Sequence, residues 1–358
     1  MKKISVIIAI AALAASAACT KVETNEAPAQ KVTFAAANYV PQTKAGPVSL
    51  TTETTSFKSK GFLHAEGVST TQDFFGANGE TITWNASDTE WAPSHDYYWP
   101  KGTESYINFV SWYDKNGAPE SANETSLVWT IDGTTRSLAT DDNIMYADEA
   151  WRFKENNNPA TYTSVDGVSE GVPTLFHHAL SQLQIQARAT KVTNGIATWT
   201  ITLKNLAISG IYNTATLSLN NSDPGTAKTT KAWTGSWTTS GSTGTLTPAA
   251  TNLSLTTSNQ NVLNVQSVIP QSLGAAAVLS FDLEIVTTYN NASNTEIISK
   301  SIPFYAASGE AFSNSINAWA QNTKYVYTLV VEPSENRVLF DPAVEADWEV
   351  VTVDEKNI

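Results

Sequence analysis

Apolar residues in this chain come in short bursts of period two, and polar turns end each burst after a few positions. Phe281, Leu283 and Ile285 alternate with Asp282, Glu284 and Val286. In an extended backbone that spacing puts one set on each face of a sheet. Similar runs fall at 57–65, 81–84, 106–113, 126–131, 172–187, 199–206, 214–219, 263–269, 277–288, 297–305 and 325–332. No heptad pattern competes with them, and only 311–319 reads as a short helix. Strands at regular spacing, cut by Asn, Gly and Ser turns, predict an all-β chain of sandwich type. The run 106–113 is apolar on most of both faces, with Ile107, Phe109 and Ser111 on one and Tyr106, Val110 and Trp112 on the other. Such a strand belongs in the middle of a sandwich.

The chain has 358 residues, enough for two domains of ordinary size. The Asn-, Ser-, Gly- and Pro-rich stretch 154–171 is the natural divide, giving domains over 31–171 and 172–358. The Gly/Ser/Thr-rich insertion 221–250 carries Trp233 and Trp237 and reads as a hairpin. Hydrophobic residues make up 41% and charged ones 15%, so the chain can bury real cores. Lys plus Arg total 21 against 34 Asp plus Glu, a net charge of −13 that repels nucleic acid.

Lys2 and Lys3 precede an apolar stretch over 4–15, too short to span a bilayer as a helix. It runs into Ser16-Ala17-Ala18-Cys19, and Cys19 is the one cysteine of the chain, so no disulfide can form within it. Small residues before a lone cysteine resemble the bacterial lipobox, in which the thiol is acylated and the cysteine becomes the new N-terminus after cleavage; 1–19 then reads as a lipoprotein signal peptide with its lipobox Cys19, and an ordinary secretory leader is the other reading. The polar segment 20–30 reads as a flexible tether.

Catalytic chemistry has little to stand on. His177 and His178 are adjacent, so on a strand they face opposite ways and cannot share a metal. HExxH, GxSxG, Walker and dinucleotide motifs do not occur, and no cofactor or metal is called for. Asp141, Asp142, Asp148 and Glu149 cluster around Ile144-Met145-Tyr146 without EF-hand spacing and read as a solvated acidic loop rather than an ion site. Trp84, Trp91, Trp99, Trp112, Trp129 and Trp151 fall in one domain. They either fill a core or offer rings for stacking on sugars.

Val32-Thr33-Phe34 followed by Thr43-Lys44-Ala45 resembles the first strand and processing loop of the fimbrillins, the type V pilins and their accessory lipoproteins. Tyr97-Tyr98-Trp99-Pro100 leading into 107–113 is similar to a family segment, and so are 176–185, Val268-Ile269-Pro270-Gln271 and 322–327, in the expected order. The resemblance implies two transthyretin-like β-sandwich domains in tandem and no catalysis. It implies a lipoprotein precursor cut after its first strand by an Arg- or Lys-specific protease. A neighbouring subunit's extended segment then fills the vacated groove. On this reading Val32 and Phe34 lie on the displaced strand, and the cut falls between Lys44 and Ala45. The family site is more often arginine, and a solvated loop lysine is the other reading of Lys44.

A candidate donor strand lies near the other end. Val344, Ala346, Trp348, Val350 and Thr352 share one extended face, with Glu345, Asp347, Glu349, Val351 and Val353 on the other. The alternative is an ordinary last strand, with 338–340 as its core and Asp341-Pro342 as the break before the tail. Implied partners are other fimbrial subunits in a homo- or heteropolymer, the outer membrane through the lipid, and host or bacterial surface receptors. A rival reading is a monomeric surface lipoprotein that binds glycans through exposed tryptophans.

Overall fold

The computed structural model describes residues 29–39, 48–52, 54–139, 141–157, 170–222, 225–247, 252–305, 316–346 and 349–351. Among them the regular structure is strand, apart from one 3-10 turn at Leu50–Thr52. The chain is all-β, as the period-two pattern predicts.

The strands before residue 179 close into a ring. Tyr106–Asp114 pairs with Ile144–Ala147, and the order continues through Val172–His178, Phe34–Asn38, Glu90–Pro93, Glu80–Asn85 and Ser56–His64. Ser56–His64 then pairs back onto Tyr106–Asp114. Closure removes the open edges that a flat sheet would leave for aggregation. All these pairings are antiparallel except Phe34–Asn38 with Val172–His178, which is parallel. Phe34, Phe57, Ile82, Trp91, Ile107 and Phe109 fill the inside of the ring.

A second core lies on the outside of the ring. There Val110, Trp112, Ile144 and Tyr146 meet Leu127, Trp129, Leu217, Leu219, Trp233 and Trp237 from the sheet Thr234–Thr239, Ala215–Asn220, Ser126–Ile131 and Ser121–Ala122. Residues 107 and 109 thus face one core, and 110 and 112 another. That is why 106–113 is apolar on both faces.

A sandwich makes the third core. One sheet orders Gln260–Val268, Ser181–Ala189, Thr323–Glu332, Arg337–Ala346 and Glu349–Val351. The other orders Thr243–Leu246, Ala197–Tyr212, Val278–Tyr289 and Ala292–Pro303. Phe281, Leu283 and Ile285 point inward onto Leu183, Ile185, Tyr327 and Leu329.

Several expectations need correcting. The acidic cluster is not a solvated loop, because Ile144–Ala147 and Glu149–Phe153 are strands of the ring sheet. Both faces of Ile144–Ala147 are buried, so it shows no alternation, and at four residues it hides among its acids. The insertion 221–250 is more than a hairpin. Thr234–Thr239 folds back on Ala215–Asn220, but Thr229–Lys231 pairs with Glu149–Phe153 and Thr243–Leu246 with Ala197–Tyr212. In 311–319, Ala318–Trp319 is a strand paired with Gln271–Ser272. Asp341-Pro342 does not break the last strand, which runs on through Arg337–Ala346. Only Val344–Ala346 has a described partner on the far side, so Pro342 sits where a missing N–H is tolerated. Pairings also cross the divide expected at 171/172, since Val172–His178 lies between Phe34–Asn38 and Ile144–Ala147.

Candidate functional site: the first strand in its groove

Phe34–Asn38 sits between two strands rather than at an edge. On one side it runs in register with Val172–His178, from Phe34 across Val172 to Asn38 across Phe176. On the other, Phe34 lies across Trp91, and Ala37 and Asn38 lie across Ser49 and Val48. Hydrogen bonds extend the seam at both ends. Val32 N donates to Tyr97 O at 2.8 Å, Val172 N to Thr33 O at 2.7 Å and Tyr39 N to Phe176 O at 2.7 Å. Val32, Phe34, Ala35, Ala36, Ala37 and Asn38 are each no more than 2% exposed. The strand is therefore covered on both faces along its run of alanines.

Phe34 anchors it. Its ring meets Phe57 at 5.7 Å and Phe109 at 5.5 Å, both edge-on, and Phe75 at 6.4 Å. Edge-on packing of this kind adds to the gain from burial. Asn156, itself buried, holds the strand's entry. Its Oδ1 accepts from Thr33 N at 3.2 Å and from Trp99 Nε1 at 3.0 Å, and its Nδ2 donates to Lys31 O at 2.6 Å. Gly171 passes so close that an added Cβ would stand 2.7 Å from the Phe34 carbonyl carbon, and its φ is +130°. Only glycine suits both constraints.

Of the residues singled out from sequence, Val32 and Phe34 lie in this groove. Cys19, Lys44, Ala45, Trp348 and Thr352 fall outside the described residues. The candidate donor segment is otherwise an edge of the chain's own sandwich: Val344 lies across Tyr325 and Val351, Ala346 across Thr323 and Glu349, and Val350 across Glu345. Asn156, Gly171 and Asn38 were not legible as site residues. Asn156 stands in an Asn-rich stretch that reads only as loop, and nothing local marks which of its asparagines turns inward.

The other clusters resolve into structural roles. Arg136 Nη2 donates to Asp114 Oδ1 at 2.8 Å and to Asp142 Oδ1 at 3.0 Å. Burial pushes the Asp114 carboxyl up, and the Arg136 guanidinium opposes it. Glu149 Oε2 accepts from Asn221 Nδ2 at 2.7 Å, and Lys115 pairs with Asp141. His177 and His178 face opposite ways, as adjacent strand residues must. His177 Nε2 lies 2.9 Å from Asp148 Oδ1, and His178 Nδ1 lies 3.0 Å from Asn143 Oδ1. Burial, with His177 beside it, pulls the His178 pKa down to about 4.

Trp91, Trp99, Trp112, Trp129, Trp151, Trp199, Trp233, Trp237 and Trp319 are buried, and Trp84 is half-buried against Trp91. Several indole N–H groups are spent inside, Trp233 on Ala147 O and Trp237 on Ala179 O. The described tryptophans pack cores and form no exposed stacking platform.

No curated protein sequence matches the chain. A fimbrial protein from Bacteroides vulgatus superposes with a TM-score of 0.50 at 13% identity, covering 89% of this chain and 99% of that one. A protein from Bacteroides uniformis, described as a candidate cell adhesion protein, gives 0.43 at 17% identity, covering 89% and 98%. At 13% identity the likeness to the Bacteroides vulgatus protein speaks to the fold alone. Residues 62–348 match the fimbrillin-like family model, which starts after the first strand and takes in the ring strands from Phe62 onward and the sandwich strands as far as 348. The chain belongs to the fimbrillin-like family.

Proposed function

We propose that this chain is a structural subunit of bacterial surface fimbriae, exported as a lipoprotein lipidated at Cys19 and joined to its neighbours by strand exchange. Its role is in assembly and adhesion rather than catalysis, and its place is the outer membrane surface or the fimbrium. The cut falls between Lys44 and Ala45, in the stretch that joins the first strand to Val48–Ser49. The observation that carries this reading is the environment of Phe34–Asn38, hydrogen-bonded on both sides and buried on both faces.

The energetics explain why a covalent cut is needed. Burying a large apolar side chain contributes roughly 1.5–3 kcal/mol. Ordering backbone costs roughly 1–2 kcal/mol per residue. Trading one buried strand for another therefore changes little, and a tethered strand returns faster than a rival arrives. Severing the link removes that advantage. Until then the resident strand caps two edges that would otherwise template aggregation.

The test is made on surface fibres from the bacterium that produces the chain. The expected result is a mature N-terminus at Ala45 and migration in detergent-resistant multimers that collapse on boiling. A surface protein that still begins at Cys19 and runs only as a monomer would sink strand exchange. Labelling with radioactive palmitate, lost in Cys19→Ala, checks the lipid separately.

A further inference from the structure

The first strand suits its groove along four positions and fails at the fifth. Phe34 and Ala36 point into the core, and Asn38 follows on the same face. Asn38 is buried beside Phe176, its register partner, which is itself fully buried. Neither Oδ1 nor Nδ2 of Asn38 has a hydrogen-bond partner. A buried amide left unpaired weakens the strand that carries it.

The entry of the groove reads no side chain. Asn156 grips Lys31 O and Thr33 N, backbone atoms that any residue supplies. Selection falls on the next five positions. The space at 34 takes an aromatic ring, bounded by Phe57, Phe75 and Phe109. Positions 35 to 37 are covered on both faces and hold three alanines, so a small residue is what the groove is built around. Position 38 takes an apolar side chain better than the asparagine now there.

The chain's own C-terminal segment does not meet these demands. Glu345, Asp347, Glu349 and Asp354 are so spaced that every five-residue stretch within 344–354 contains a carboxylate, read in either direction. In any register one acid enters a covered position without a partner, which is strongly unfavourable. That segment suits a groove whose outer face meets water.

We infer that the first strand is a deliberately weak resident. In the assembled state its groove is filled by an extended segment of a different subunit, with the pattern aromatic, small, small, small, apolar, and not by the C-terminal segment of a second copy. This rests on the strand-exchange reading above.

The test uses the full chain with a specific protease site placed between Tyr39 and Val48. After cutting, fluorescent peptides compete for the groove: the native 30–39 sequence, the same peptide with Asn38→Leu, and the 344–353 sequence. The Asn38→Leu peptide is expected to bind about tenfold more tightly than the native one, with the 344–353 peptide not measurably bound. Equal affinity of the first two peptides, or binding by 344–353 as tight as by the native peptide, would overturn the inference and leave strand exchange standing. If none of the three exchanges into the cut protein, strand exchange itself fails and this inference with it.

Discussion

The first strand and the last described strands occupy opposite extremes of sheet environment. Phe34–Asn38 has a hydrogen-bonded neighbour on each side and a covered surface on each face. Arg337–Ala346 and Glu349–Val351 finish one sheet of the sandwich, the latter with no described neighbour beyond it. Losing the first strand would open two edges and a core of aromatic rings; losing the last would only move an edge inward by one strand. A chain can part with an edge by fraying. It parts with a central strand only if something severs it and something else fills the space. The two ends of the molecule are thus suited to different tasks, and the central one is the point of control.

The sharpest way to break this comparison is to truncate one side chain in each strand. Phe34→Ala should cost about 3–5 kcal/mol of unfolding free energy, because three neighbouring rings cannot collapse into the hole together. Val338→Ala, in a half-buried position of the last strand, should cost about 1 kcal/mol. Urea denaturation of the two variants measures both. Equal losses would mean that the first strand is no more integral than the last.

Acid should separate the ring from the sandwich. His178 ends the strand beside Phe34–Asn38, and its pKa of about 4 lies below the ordinary 6.5. Between those values the unfolded chain holds more protons than the folded one. The stabilisation is full above pH 6.5 and is lost as pH falls through about 4. From pH 7 to 5 the loss is about 2 kcal/mol. In the sandwich, burial pushes the Tyr327 hydroxyl up, so it stays neutral over this range. Glu332, held down to about 2 by Lys191, Ser334 and Thr190 against the effect of burial, stays ionised. Protection from hydrogen exchange, taken relative to the intrinsic amide rate at each pH, should therefore fall on acidification in Val172–His178 and change little in Ala197–Tyr212. His178→Asn should flatten the difference.

Asn156 tests whether the entry clamp matters as much as the ring contacts. Asn156→Ala leaves Thr33 N–H, Trp99 Nε1–H and the Lys31 carbonyl without their partner. The expected cost is about 1–2 kcal/mol. It should appear as faster amide exchange in Phe34–Asn38 with the sandwich unchanged.

How much of this was legible depended on whether a strand's two faces differ. Ser126–Ile131 and Val278–Tyr289 alternate between core and water, and their pattern announces both strand and buried face. Ile144–Ala147 is buried throughout and flanked by acids, of which Asp148 finds its partner in His177, 29 residues away. No local pattern can reveal such a strand. The first strand was readable as far as Val32-Thr33-Phe34, where alternation holds. The alanines after it carry no periodic signal, because both faces are covered. Its clamp was invisible for a different reason. Asn156 reaches residues 31 and 33 across more than a hundred positions, and only the closed ring brings them together.

The smallest predicted effect bears most directly on why the first strand differs from the last. Asn38→Leu in the intact chain removes two unpaired polar atoms from beside Phe176 and replaces them with a methyl pair of similar size. It should raise stability by about 1 kcal/mol. Thermal unfolding would show this as an increase of a few degrees at most. The same change should slow release of the strand after the cut, so a more stable precursor would make a poorer subunit. A central strand built only for stability would already carry an apolar residue there. If Asn38→Leu destabilises the chain instead, the amide supports the folded state and the first strand is not a weak resident of its groove.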